Sequence, residues 1–150
     1  MNEVETKLAS RWKRLGGMML DGVISMVIIF PLMLVTGVLQ RAFSGEGMTI
    51  GQQAAFYVVG WVVFLILNGY LLVNRGQTIG KVAVKTKIVD LQGNIPSFGK
   101  LLLLRYLVFG LVAQIPIVGN LAGLVNALFI FGKERRCLHD YIAGTRVVEA

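Results

Sequence analysis

Cysteine is nearly absent from this chain of 150 residues. Its single copy, Cys137, excludes an intramolecular disulfide and leaves a cysteine-based metal site without further thiolates. Histidine also occurs once, at His139, and one imidazole without a second ligand cluster makes a poor zinc site. Acidic residues are scarce, eight against fifteen Lys and Arg, for a formal charge of +7. None of the usual nucleic-acid-binding patterns accompanies that charge, so nucleic acid is not the expected partner. Myristoylation and prenylation signals are missing. The first apolar block is longer than a secretory leader's and lacks a small-x-small cleavage site, so it is expected to stay in the mature protein.

What the chain does have is apolar residues in long blocks. They make up 55% of it, with a mean hydropathy of +0.70. Blocks at 16–39, 54–73 and 101–131 place it among multi-pass membrane proteins. The first two suit single spans, since about twenty apolar residues cross a bilayer as a helix. As one straight helix the third would be about 46 Å long at ~1.5 Å per residue. Fitting a core of about 30 Å would need a tilt near 50°, beyond the usual range of roughly 0–40°.

Basic residues flank these blocks and set an orientation. Lys7, Arg11, Lys13 and Arg14 precede the first, and only Arg41 lies in the loop 40–53. Arg75, Lys81, Lys85, Lys87 and Lys100 follow the second, and Lys133, Arg135, Arg136 and Arg146 follow the third. By the positive-inside rule both termini and segment 74–100 are expected to be cytoplasmic. The third block then enters and leaves on one side. Ile115-Pro116-Ile-Val-Gly119-Asn120 supplies turn residues between halves 101–114 and 117–131, read as a short helical hairpin. An interfacial helix followed by one span is the rival, and it would put the basic tail outside. The fold expected is an all-α integral membrane bundle of one domain, 1–150, with three or four membrane segments. A small cytoplasmic β-hairpin is expected at about 80–97. There Val82, Val84, Thr86 and Ile88 alternate with Lys85 and Lys87 before turn residues Asp90 to Asn94, and Thr145–Val148 offers a third strand.

Ionisable residues inside apolar blocks are the candidate functional groups. Asp21 sits one to two turns into the first block, shallow and near the cytoplasmic face. Arg14, seven residues earlier, lies close to the same helical face. Arg105 enters the third block at a similar depth, so a cross-helix Asp21–Arg105 ion pair is expected to offset the burial of each charge. A hydrated, snorkelling carboxylate is the bland alternative for Asp21, and an ion- or proton-handling site the sharp one. Gly119-x3-Gly123 forms a small-residue stripe for helix packing, although glycine is common in such helices. Asn68, Gln114, Asn120 and Asn126 suit interhelical hydrogen bonds better than a hydrated path. Gly76-Gln-Thr-Ile-Gly80-Lys81 departs from a phosphate loop, with too few residues between its glycines and Val82 after the lysine. Cys137-Leu-His139-Asp140 gives no sufficient basis for nucleophilic or metal chemistry. No enzyme activity, cofactor or metal is expected.

Three separated motifs resemble the RDD family of small bacterial membrane proteins, over nearly the whole chain. Arg11-Trp-Lys-Arg14-Leu-Gly-Gly-Met-Met-Leu-Asp21 is similar to the family's Arg-Leu-x-Ala-x-x-x-Asp entry into its first span. Gly76 to Lys81, the Val-rich strand after it, Gly93 and Arg105 form the second motif. Cys137-Leu-His139-Asp140-Tyr-Ile-Ala-Gly144-Thr145-Arg-Val-Val148 resembles the family's ending. The resemblance implies that Arg14, Asp21 and Asp140 are signature positions; Gly17 stands where the family commonly has alanine. It also implies a link to cation/proton exchange, associated with some members. The leading expectation is therefore ion transport, with Asp21 taking a proton or monovalent cation and Arg14 or Arg105 tuning it. A non-catalytic scaffold, assembly or regulatory partner is the alternative. In either case the expected partners are the lipid bilayer and a second copy or another membrane protein.

Overall fold

The computed structural model describes residues 7–115 and 117–150. Helix α1, Arg11–Val35, starts where the Ser10 hydroxyl accepts a hydrogen bond from Lys13 N. It ends before Gly37, whose left-handed backbone redirects the chain into the short α2, Val38–Phe43. A reciprocal cap between Thr49 and Gln52 opens α3, Ile50–Arg75, and Gly76 closes it in the left-handed region at φ +62. Both long helices start earlier than the apolar blocks, because their capping residues lie in polar sequence. They are long and apolar enough to cross a membrane by length and composition. Little of their apolar surface is covered by the rest of the chain, none of the best window in α1 and 11% of that in α3.

Helix α4, Ile79–Ala83, lies against α1. Lys85, at positive φ, then turns the chain into strand β1, Thr86–Asp90. A one-turn α5, Phe98–Lys100, leads into a π-helical stretch, Leu101–Leu107, and on into α6, Val108–Ala113. Helix α7, Val118–Leu128, packs back on α6. The turn expected between them includes Pro116, which lies outside the described residues. A 3-10 turn, Phe129–Phe131, precedes α8, Leu138–Ala143, and strand β2, Thr145–Glu149.

The expected local hairpin at 80–97 is replaced by a long-range pairing. β1 runs antiparallel to β2 with Thr86 opposite Glu149 and Asp90 opposite Thr145. Residues 79–83 are helical instead of extended. Beyond β1 the Asp90 carboxylate accepts from Gln92 N and Asn94 N, closing a tight turn. Pro96 then lacks a ladder donor and Ser97 caps α5, so no returning strand fits there. The edge of β1 is left for the distant β2, which also bridges Leu8.

The water-excluded core lies at this polar end. Ala9, Leu72, Ile88, Leu101 and Val147 form it, with Phe64 and Tyr106 against them. The sheet, α4, α8 and the first residues of α1 thus make a cap over one end of the helices.

Candidate functional site

Two carboxylates organise the cap, and the arginines expected beside Asp21 are paired with Asp140 instead. Asp21 of α1 sits at the N-terminus of α4, where the first N–H groups of a helix have no partner within it. Its Oδ1 accepts from Gly80 N at 2.7 Å and its Oδ2 from the Thr78 hydroxyl at 2.5 Å. Asn68 of α3 accepts from Ile79 N at 2.9 Å, and Thr78 Oγ1 accepts from Lys81 N. Three successive orphan donors are therefore met by side chains of α1, α3 and the Thr78 cap that precedes α4. A carboxylate there also faces the positive end of the helix dipole. The approach is close, because a Cβ on Gly80 would overlap Gly17 O and stand 2.8 Å from the Asp21 carboxyl carbon.

Asp140 holds the second cluster. It is fully buried at the start of α8 and pairs with Arg14 of α1 and Arg105 of the π-helical turn. Its Oδ2 also accepts from Cys137 N at 2.9 Å, and its Oδ1 from the Thr145 hydroxyl. Arg105 donates to Thr145 Oγ1 at 2.7 Å, and Arg14 to the Arg135 carbonyl and Cys137 Sγ. One carboxylate thus ties α1, the π-helical turn, α8 and β2 together. The Asp21–Arg105 and Asp21–Arg14 pairings give way for a simple reason: Asp140 supplies an anion beside both guanidiniums, while α4 supplies neutral donors to Asp21.

The polar residues of the apolar blocks serve as joints. Asn126 Oδ1 accepts from His139 N at 3.1 Å and lies 2.8 Å from His139 Nδ1, docking α8 on α7. Gln53 donates to the Gln114 carbonyl, linking α3 to the end of α6. Asn120 is exposed. The two packing glycines differ. A Cβ on Gly119 would overlap the Ala113 carbonyl, whereas one on Gly123 would meet nothing within 4 Å. Close packing at this stripe is confined to Gly119.

Beside Asp21 lies a cavity of about 210 Å³. Arg14, Asp21, Lys81, Thr86, Arg105 and Tyr106 line it, and His139 closes one side. Lys81 is buried, and among the described residues its ammonium has one hydrogen-bond partner, the Thr78 hydroxyl 3.5 Å away. Burial lowers its pKa, an effect that Tyr106 and Asp21 oppose and Arg105 and Arg14 reinforce. Burial, helped by the same two arginines and Lys81, holds His139 well below the usual imidazole range. Cys137, His139 and Asp140 also bring possible ligand atoms within 4.8 Å of one another. That trio suits a metal poorly, since both Asp140 oxygens already accept from arginines and those cations oppose a third.

The sequence reading offers Thr86 and Thr145 only as strand residues, and Thr78 and Lys81 only as parts of a failed phosphate loop. A signal for Thr78 is nonetheless present. A threonine two residues after a helix-closing glycine is a natural N-cap for the next helix.

The RDD family description matches residues 8–144. An uncharacterized protein, YckC, of Bacillus subtilis (strain 168) is 32% identical over 145 residues, covering 96% of this chain and 86% of the relative. No solved structure matches the chain. The chain belongs to the RDD family.

Proposed function

We propose that this RDD family member is a multi-pass protein of the bacterial cytoplasmic membrane, with its cap and both termini in the cytoplasm, acting as a non-catalytic scaffold or regulatory partner. The basic residues at the cap end fit the positive-inside rule. The observation that carries the functional reading is the saturation of Asp21 and Asp140. An exchanger needs a carboxylate that trades partners readily between proton and cation. Asp21 instead caps α4, and Asp140 bridges two buried arginines. The apolar faces of α1 and α3, largely uncovered by their own chain, suit lipid and a second copy or another membrane protein.

Cation/proton exchange is the second reading, favoured by one feature: Asp21 and Lys81 face the same cavity. The two readings separate in proteoliposomes carrying a pH-sensitive dye. The scaffold reading expects no cation-driven proton flux from inserted wild-type protein. Flux that disappears in Asp21→Asn, with insertion intact, would establish exchange instead.

A further inference from the structure

The cavity beneath the sheet has more positive charge and more hydrogen-bond donors than its own chain uses. Arg14, Lys81 and Arg105 line it with Asp21, and Asp140 pairs with both arginines from behind, a formal excess of one positive charge while His139 is neutral. Among the lining residues, the fully buried Thr86 Oγ1 has no hydrogen-bond partner among the described residues, and Tyr106 Oη, set against the Arg105 guanidinium, keeps its own O–H to donate. The Lys81 ammonium has three N–H donors and one long contact to Thr78. Buried polar groups are normally paired, and an unpaired buried cation is especially costly. A volume of about 210 Å³ exceeds the roughly 30 Å³ share of one water several times over.

We propose that this cavity is a binding site for a monoanionic phosphate-type group, held by Lys81, Arg105, Tyr106 and Thr86. One such anion cancels the excess charge and accepts from the donors left over. Asp21 and Asp140 do not compete for these donors, being committed to α4 and to the arginine pair. Arg14 lies one turn into α1, close to the depth of the headgroup layer for a helix of this length. Basic pockets between helices at the cytoplasmic face are suited to anionic lipid headgroups. The same chemistry would also take free phosphate. Only the lipid source rests on the membrane orientation proposed above; the anion site itself does not depend on the scaffold reading.

The test uses the full chain in a mild non-ionic detergent, titrated separately with phosphatidylglycerol, phosphatidylethanolamine and inorganic phosphate. Thermal stability and native mass spectrometry report binding. Phosphatidylglycerol alone raising the melting temperature and remaining bound identifies a lipid site. Inorganic phosphate doing so as well, and displacing the lipid, identifies a free-anion site. Lys81→Met is expected to weaken binding about tenfold or more, the scale of a lost charge-assisted hydrogen bond. Lys81→Arg should retain it, and Thr86→Val should weaken it less. Should Lys81→Met fail to fold, the contrast between Lys81→Arg and Thr86→Val decides. The proposal is overturned if neither anion outperforms phosphatidylethanolamine, or if the folded variants that lose a donor bind as wild type does. Because binding is read without any ion gradient, its failure leaves the flux experiment's outcome untouched.

Discussion

Along α1 and α3 the large apolar side chains face outward, with Val27 70% and Ile66 76% exposed, while in the cap Asp140, Thr145 and Thr86 are wholly buried. The two regions obey opposite burial rules. The helices bury little of their own apolar surface. The cap buries charge, and Arg14, Arg105 and Asp140 meet one another there. Their difference shows why polar residues recur inside the apolar blocks. Asp21, Asn68 and Arg105 are the points where an apolar helix is fastened to the cap. An ionisable group in an apolar helix can thus serve the architecture of a neighbouring polar layer.

The contrast can be broken most strongly at Asp140. Asp140→Ala leaves two guanidiniums buried without their anion and should cost about 3–5 kcal/mol, measured by chemical denaturation in detergent. Val27→Ala, on the outward face of α1, should cost under about 0.5 kcal/mol in the same assay. Gly80→Ala comes next, at about 1–3 kcal/mol, since its methyl group would meet Gly17 backbone and the Asp21 carboxylate. Gly123→Ala, facing open space, is the matched control and should be near neutral. Asp21→Asn keeps an acceptor for Gly80 N but loses the charge facing the α4 dipole. Its expected cost is about 1 kcal/mol.

A pH-dependent effect is expected from His139. Burial and nearby cations hold its pKa well below the ordinary value, so the unfolded chain takes up a proton near pH ~6.5 that the folded chain refuses. Stability therefore falls as the pH drops through about 6.5 and levels off below the lowered folded value. His139→Gln should flatten this slope between pH 7 and 5. An unchanged slope in the variant would assign the acid sensitivity to other groups.

How much of this was legible in the residues follows from how local each feature is. The long helices are visible as runs, because a run needs no partner to be recognised. Arg14, Asp21, Arg105 and Asp140 are also conspicuous as charges or motif positions, but their pairing is not. Asp21 and Arg105 match in depth along their helices, yet depth is silent about which side chain α8 brings in from the far end of the chain. The sheet misleads for the same reason. Thr86 to Asp90 has strand character, but its partner is fixed by Pro96 and Ser97 blocking a local return, and by β2 lying beside Leu8. Lys81 was hidden most completely, because a lysine in a basic segment reads as solvated until the cavity around it is known.

The central claim is that Asp140 locks a cap that is structurally separable from the long helices. Hydrogen exchange of the protein in lipid nanodiscs, comparing wild type with Asp140→Asn, tests it most directly. The expected result is faster exchange in β1, α8 and β2, with the middle of α1 and α3 as protected as before. Unchanged cap protection in the folded variant, or loss spread evenly over the cap and both long helices, would contradict it.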